Sequence, residues 1–331
     1  MKLNIIGPNL SRVYSGFHGN GWELFLKEFE NIGFEIFFNS FNGDFDLFIF
    51  FDNSKFSGQF LKTFNSSSGY KVLLLQEPEN VLPDNFNVKK NKLFDLILAG
   101  SPIWAKNLGV ESFFHPLVTD IPKDIKELNN REIDVGLIQS NKFSIVKGEL
   151  YTLRREFIRA AEKNVFNFSL AGVGWNRGFF YDLKNSLGHF NSGKIPIKKI
   201  TNPFSNLGVK YKSYIGPQEN KINWLINVKK NIVIENSLSF ISEKLFDSLR
   251  SGCATFYVGP NLSDFGIPED VVINCEPNVQ NIIANIKETS NDILETKQVN
   301  ALKFMREDAE SKWKPEVATL KIAKKIINSI S

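Results

Sequence analysis

The chain has 331 residues, 42% of them hydrophobic and 23% charged, with a formal net charge of +4 and a pI near 8.8. These are ordinary globular values at a length that exceeds one hydrophobic core, so two domains are expected, and no apolar run approaches the ~20 residues of a membrane span. The mild basic balance permits an anionic ligand or peripheral association with a membrane surface, while the dispersed basic residues and core-periodic aromatics give no expectation of a nucleic-acid partner.

Residues 3–6 read as a first strand, too quickly broken by Gly7-Pro8 to be a signal peptide, so a cytoplasmic location is expected. The loop that follows carries Gly16, Gly19 and Gly21, which would let backbone amides approach a ligand, and His18, a tempting base without a partner carboxylate in view. Its spacing does not fit a dinucleotide fingerprint. An amphipathic helix over 22–32 precedes strands at 35–38 and 47–51, and Asp44-Phe45-Asp46 is read as a turn and not as a metal motif. Strands at 71–75 and 96–99 complete a first α/β half, with Gln76-Glu77-Pro78-Glu79-Asn80 at the end of one of them. The polar segment 119–132 reads as a linker.

The second half opens with a strand at 133–138 and a helix over 147–163 that carries Arg154 and Arg155, then a strand at 167–171. The turn containing Gly172 and Gly174, and the loop at Tyr214, are expected to border a ligand. The most informative stretch begins with a buried strand at 232–234 and a polar turn over 235–239. A helix over 242–250 with Ser242 as N-cap and Gly252 after its last turn leads into a second strand at 254–258. Parallel strands joined through a helix bind ligands at their carboxyl ends, where Glu235, Asn236, Ser237, Glu243 and Lys244 converge. The helix dipole favours the acid in the first turn but not the lysine; a phosphate bound at the helix start would account for it. Helices over 282–286 and 317–330 close the chain. Cys253 and Cys275 show neither pairing pattern nor metal spacing, as inert thiols in a reducing compartment do.

Glu235-Asn236-Ser237, then Phe240-Ile241-Ser242-Glu243-Lys244-Leu245-Phe246-Asp247, and then Gly252 through Tyr257 and Gly259, resemble the donor-binding motif of the α-1,3-fucosyltransferases. One departure is Thr255, where that family usually has proline. The resemblance implies the glycosyltransferase B architecture, two Rossmann-like doubly wound α/β domains facing a central cleft. Its parts are an acceptor-side domain over 1–125, a donor-binding domain over 126–312, and a C-terminal helix, 313–331, that could pack back on the first domain. It also implies metal-independent, inverting transfer of fucose from GDP-fucose to a glycan hydroxyl, with no cofactor. Glu77, with Pro83, Phe94-Asp95 and Ala99-Gly100 in the family's layout, is the implied general base, and Glu79 its rival. Arg154 and Lys244 are the implied diphosphate ligands and Glu243 the ribose ligand. The alternatives are a different nucleotide-sugar donor, or a nucleotide- or carbohydrate-binding protein without turnover.

Overall fold

Among the described residues eleven strands form two sheets, one of six and one of five, in which every strand pairing is parallel. The structure is a computed structural model that describes residues 1–7, 21–40, 43–53, 64–144, 146–164, 167–176 and 210–330. The chain divides into two units, Met1–Val118 with Ala309–Ser331, and Thr119–Asp308. The first boundary falls where the polar linker segment begins.

In the first unit the strands are β1 (Lys2–Ile6), β2 (Glu35–Phe38), β3 (Leu47–Phe51), β4 (Tyr70–Leu75), β5 (Leu96–Ala99) and β6 (Glu111–Ser112), in the order β2-β1-β3-β4-β5-β6. Strands covered on both faces read as unbroken apolar runs, and Leu-Phe-Ile-Phe-Phe in β3 is buried at every position. Just before its amino end, β3 is tied to β1 by Asp46, the second acid of the Asp-x-Asp sequence, whose Oδ2 accepts the Lys2 amide at 2.6 Å. Helix α1 (Gly21–Asn31) covers the sheet with Trp22, Phe25, Leu26 and Phe29, and α2 (Pro102–Leu108) is capped by Ser101 and stopped by the left-handed Gly109.

The second unit contains β7 (Ile133–Ile138), α3 (Tyr151–Lys163), β8 (Phe168–Ala171), β9 (Val228–Ile234), α4 (Glu243–Arg250), β10 (Ala254–Val258) and β11 (Ile273–Asn274). Helices α5 (Val279–Glu288) and α6 (Asn291–Phe304) complete it, and the sheet runs β11-β10-β9-β7-β8. Both sheets therefore follow the doubly wound order 2-1-3-4-5, in which strand order reverses between the first and third strands and ligands bind outside the carboxyl ends there. Helix α3 starts four residues later than the periodicity suggests. Gly148 stands at φ +89, and Glu149 caps the helix by accepting the Thr152 amide at 3.0 Å and its hydroxyl at 2.5 Å.

The last helix, α7 (Pro315–Ile330), belongs to the first unit, where Ile322, Ala323 and Ile326 are buried in the α1 cluster. Each buried isoleucine contributes roughly 2 kcal/mol. Gly21 is the contact point: a Cβ there would lie 2.4 Å from the Pro315 carbonyl, and Thr319 Oγ1 donates to Gly21 O at 2.5 Å. The glycine read as a ligand-approach residue is thus placed against the returning helix. No helix among the described residues is long and apolar enough to cross a membrane.

Candidate active site

The carboxyl ends of β9 and β10 meet the N-terminus of α4, and this brings Glu235, Asn236, Ser242 and Lys244 together as the sequence predicts. Glu235 is fully buried. Its carboxylate accepts the Ser242 amide at 3.1 Å and the Ser242 hydroxyl at 2.6 Å, and it pairs with the Lys244 ammonium at 3.1 Å. Lys244 Nζ also donates to Ser242 Oγ, and to Asn236 Oδ1 at 3.4 Å. Ser242 caps α4 as expected, accepting from the Lys244 amide at 3.4 Å. A lysine in the first turn therefore has an explanation the sequence did not offer: it is the counter-ion of a buried carboxylate that folds over the helix start. Ser237 pairs with Glu149 and Phe240 in the turn beside this cluster. Glu243 points elsewhere: its side chain is half exposed and lies 4.0 Å from Lys221. Desolvation works against its charge, but Lys244 and Lys221 outweigh it and hold the carboxyl down at about 2.

Arg154 occupies the switch point of the second sheet. Its Nη1 donates to Ser140 O at 3.1 Å beyond β7, and its Nη2 to Ile234 O at 2.7 Å and Glu235 O at 3.4 Å at the end of β9. It is almost fully buried, and desolvation brings its pKa down to about 10. Arg155 grips the same loop through Asn141 Oδ1 at 3.0 Å and Lys142 O at 2.6 Å. Two guanidiniums thus brace main chain at the place where a ligand would lie.

On the other side of β7, Tyr214 donates its hydroxyl to Gly172 O at 2.9 Å, and Gly174 O accepts from Asn141 at 3.0 Å. Gly172 has φ +119, and a Cβ there would sit 2.1 Å from Gln139 O. Gly172→Ala is therefore expected to lower stability by at least about 1–3 kcal/mol, read from urea unfolding. Gln139 itself was not singled out by sequence. It is buried at the end of β7, and neither of its side-chain polar atoms has a hydrogen-bond partner.

In the first unit Glu77 follows β4 with an exposed side chain, as does Glu79. What sequence missed is the structure beneath it. Asp52, directly after β3, is buried with φ +64. Its Oδ1 accepts the amides of Gln76 at 2.6 Å and Glu77 at 3.0 Å, and Asn85 Nδ2 at 2.8 Å. Burial raises the Asp52 pKa against the pull of those three donors. Gly16, His18 and Gly19 lie outside the described residues.

No family model matches the chain, and no curated protein does. Solved structures do. The chain is similar to an Anabaena protein, HepE, in complex with UDP and glucose, at 13% identity over 99% of this chain and 100% of that one, with a TM-score of 0.56. An α-glucosyltransferase in complex with UDP and mismatched DNA gives 11% identity over 99% and 100%, with a TM-score of 0.55. An α1,3-fucosyltransferase with GDP gives 13% identity over 100% and 90%, with the same TM-score of 0.55. The fold is that of the glycosyltransferase B class. At these identities the likeness reaches the fold alone, and the two doubly wound sheets are what it rests on.

Proposed function

We propose that this chain is a glycosyltransferase that moves fucose from GDP-fucose to a hydroxyl of a glycan acceptor with inversion. The observation that carries this reading is the Glu235–Ser242–Lys244 cluster at the strand ends of the second sheet. The cluster is made of residues of the fucosyltransferase-like motif and lies at strand ends beside the switch point, where doubly wound sheets bind nucleotides, which supports the reading.

In this reading the second unit holds the donor. Lys244 has three donors, all engaged by protein oxygens, and it would exchange its longest partner, Asn236, for a phosphate oxygen. Arg154, its Nη groups spent on main-chain carbonyls, supplies positive potential from behind the loop and not a bidentate clamp. Glu243, ionised and half exposed in the first turn of α4, accepts hydrogen bonds from the ribose hydroxyls. The first unit supplies the base. The acceptor oxygen bonds to the sugar's anomeric carbon, the bond from that carbon to the diphosphate oxygen breaks, Glu77 takes the acceptor's proton, and GDP leaves with the bonding pair. No step in this scheme requires a metal.

Thermal unfolding with GDP, UDP, ADP and CMP tests the donor assignment. GDP at 100 times its dissociation constant is expected to add about 2.7 kcal/mol, with the other three giving less. Stabilisation by UDP and not by GDP would overturn the fucose donor and move the reading to a UDP-sugar.

A further inference from the structure

We propose that Asp52 is a positioning residue that clamps the main chain of Glu77, together with Asn85, so that the Glu77 carboxylate is presented from a fixed backbone. The inference rests on the assignment of Glu77 as the base.

Both main-chain polar groups of Glu77 are held by buried side chains. Its amide donates to Asp52 Oδ1 at 3.0 Å, and its carbonyl accepts from Asn85 Nδ2 at 2.8 Å. Asn85 Nδ2 donates to Asp52 as well, at 2.8 Å, which closes a ring of three hydrogen bonds around one residue. Asn85 is in turn fixed from below, since its Oδ1 accepts the Asn53 amide at 2.6 Å. Asn53 donates to Asp84 O at 3.1 Å and to Asn91 Oδ1 at 2.8 Å, and Asn91 returns a bond to Asn85 O at 3.0 Å.

A simple loop anchor needs none of this expense. Asp52 sits in the left-handed region, which is strained for a residue with a side chain and in which aspartate is among the few that settle. Among the described residues its carboxylate meets neutral donors: two amides and one carboxamide. Strain and a desolvated acid concentrated under one exposed residue are the pattern of a functional support and not of a solvated turn. The amide of Asp52 meanwhile continues the β3–β4 ladder to Leu74 O at 2.9 Å, so the clamp is tied into the rigid sheet.

Asp52→Gly is the informative variant. Glycine accepts the left-handed backbone without strain and so keeps the fold, but offers no acceptor to the Glu77 amide. Amide hydrogen exchange reads the clamp directly: Gln76 and Glu77 are expected to exchange about tenfold faster, with Leu73 and Leu75 unchanged. Release of GDP from GDP-fucose, and of UDP from UDP-glucose as the second donor, reads the consequence. In Asp52→Gly, kcat is expected to fall on the order of 10²-fold with donor KM within about twofold, and Asp52→Asn, which keeps an acceptor oxygen, is expected to recover most of the loss. Unchanged exchange at Glu77 would overturn the clamp whatever the turnover. Wild-type kcat in Asp52→Gly beside an inactive Glu77→Gln would overturn the positioning role while sparing the base. Full activity in Glu77→Gln would instead remove the base assignment, and the positioning role with it.

Discussion

Glu77→Gln is expected to slow sugar transfer by about 10²–10⁴-fold while GDP affinity and melting temperature stay at wild-type values. The substitution keeps shape and hydrogen-bonding reach and removes only the ability to take a proton. Glu77 is exposed at a strand end of the first sheet, so the substitution removes no buried charge and should not unfold the loop. Glu79→Gln is the matched control, with the same chemistry two residues on. The two are not equivalent in the structure, because the clamp from Asp52 and Asn85 engages the main chain of Glu77. Initial rates and a GDP titration on both variants decide the matter. An inactive Glu79→Gln beside an active Glu77→Gln would transfer the role to Glu79. Wild-type rates in both would remove the base from this loop and leave His18 as the next residue to substitute.

Strands were the most legible part of the chain. Buried parallel strands are continuous apolar runs, and Leu-Phe-Ile-Phe-Phe or Ala-Thr-Phe-Tyr-Val can be little else between polar turns. The convergence of Glu235, Ser242 and Lys244 was legible too, because one strand–turn–helix unit carries all three, and local chain geometry brings them together. Their pairing was not. Nothing in the order of residues says that Glu235 turns inward and spends its charge on Lys244, so the lysine invited a phosphate that the fold does not require. Arg154 hides more deeply. Its partners are main-chain carbonyls of residues 140, 234 and 235, and main chain leaves no trace in side-chain identity. The support under Glu77 was invisible for a third reason. Asp52 looks like a polar strand exit, and its partner Asn85 is 33 residues away in a region with no pattern of its own. Helix α7 was visible as a helix, and the resemblance implied that it could pack back on the first domain; its contact point was not visible, because the missing side chain of Gly21 looked ligand-directed.

Breaking the Glu235–Lys244 pair is expected to cost about 3–5 kcal/mol of folding stability before any ligand is added. Glu235 is wholly buried and the Lys244 side chain is only 10% exposed, so removing either partner strands a charge away from water. Lys244→Met leaves the Glu235 anion with only the two donors of Ser242, at 3.1 Å and 2.6 Å. Glu235→Gln leaves the ammonium facing an amide. The double variant Glu235→Gln/Lys244→Met removes both charges and is expected to be more stable than either single variant, because a buried pair replaced whole costs far less than a pair broken. Urea unfolding of the four proteins without nucleotide measures the coupling. GDP titration of the same set separates a second effect: if the ammonium also meets the diphosphate, Lys244→Met loses a further 1.5–3 kcal/mol or so of binding beyond its folding defect, and the double variant does not regain it. A Lys244→Met protein as stable as wild type in urea would mean that the lysine is not held by Glu235. A double variant that binds GDP at wild-type affinity would confine Lys244 to the support of helix α4 and leave the diphosphate to other groups at the strand ends.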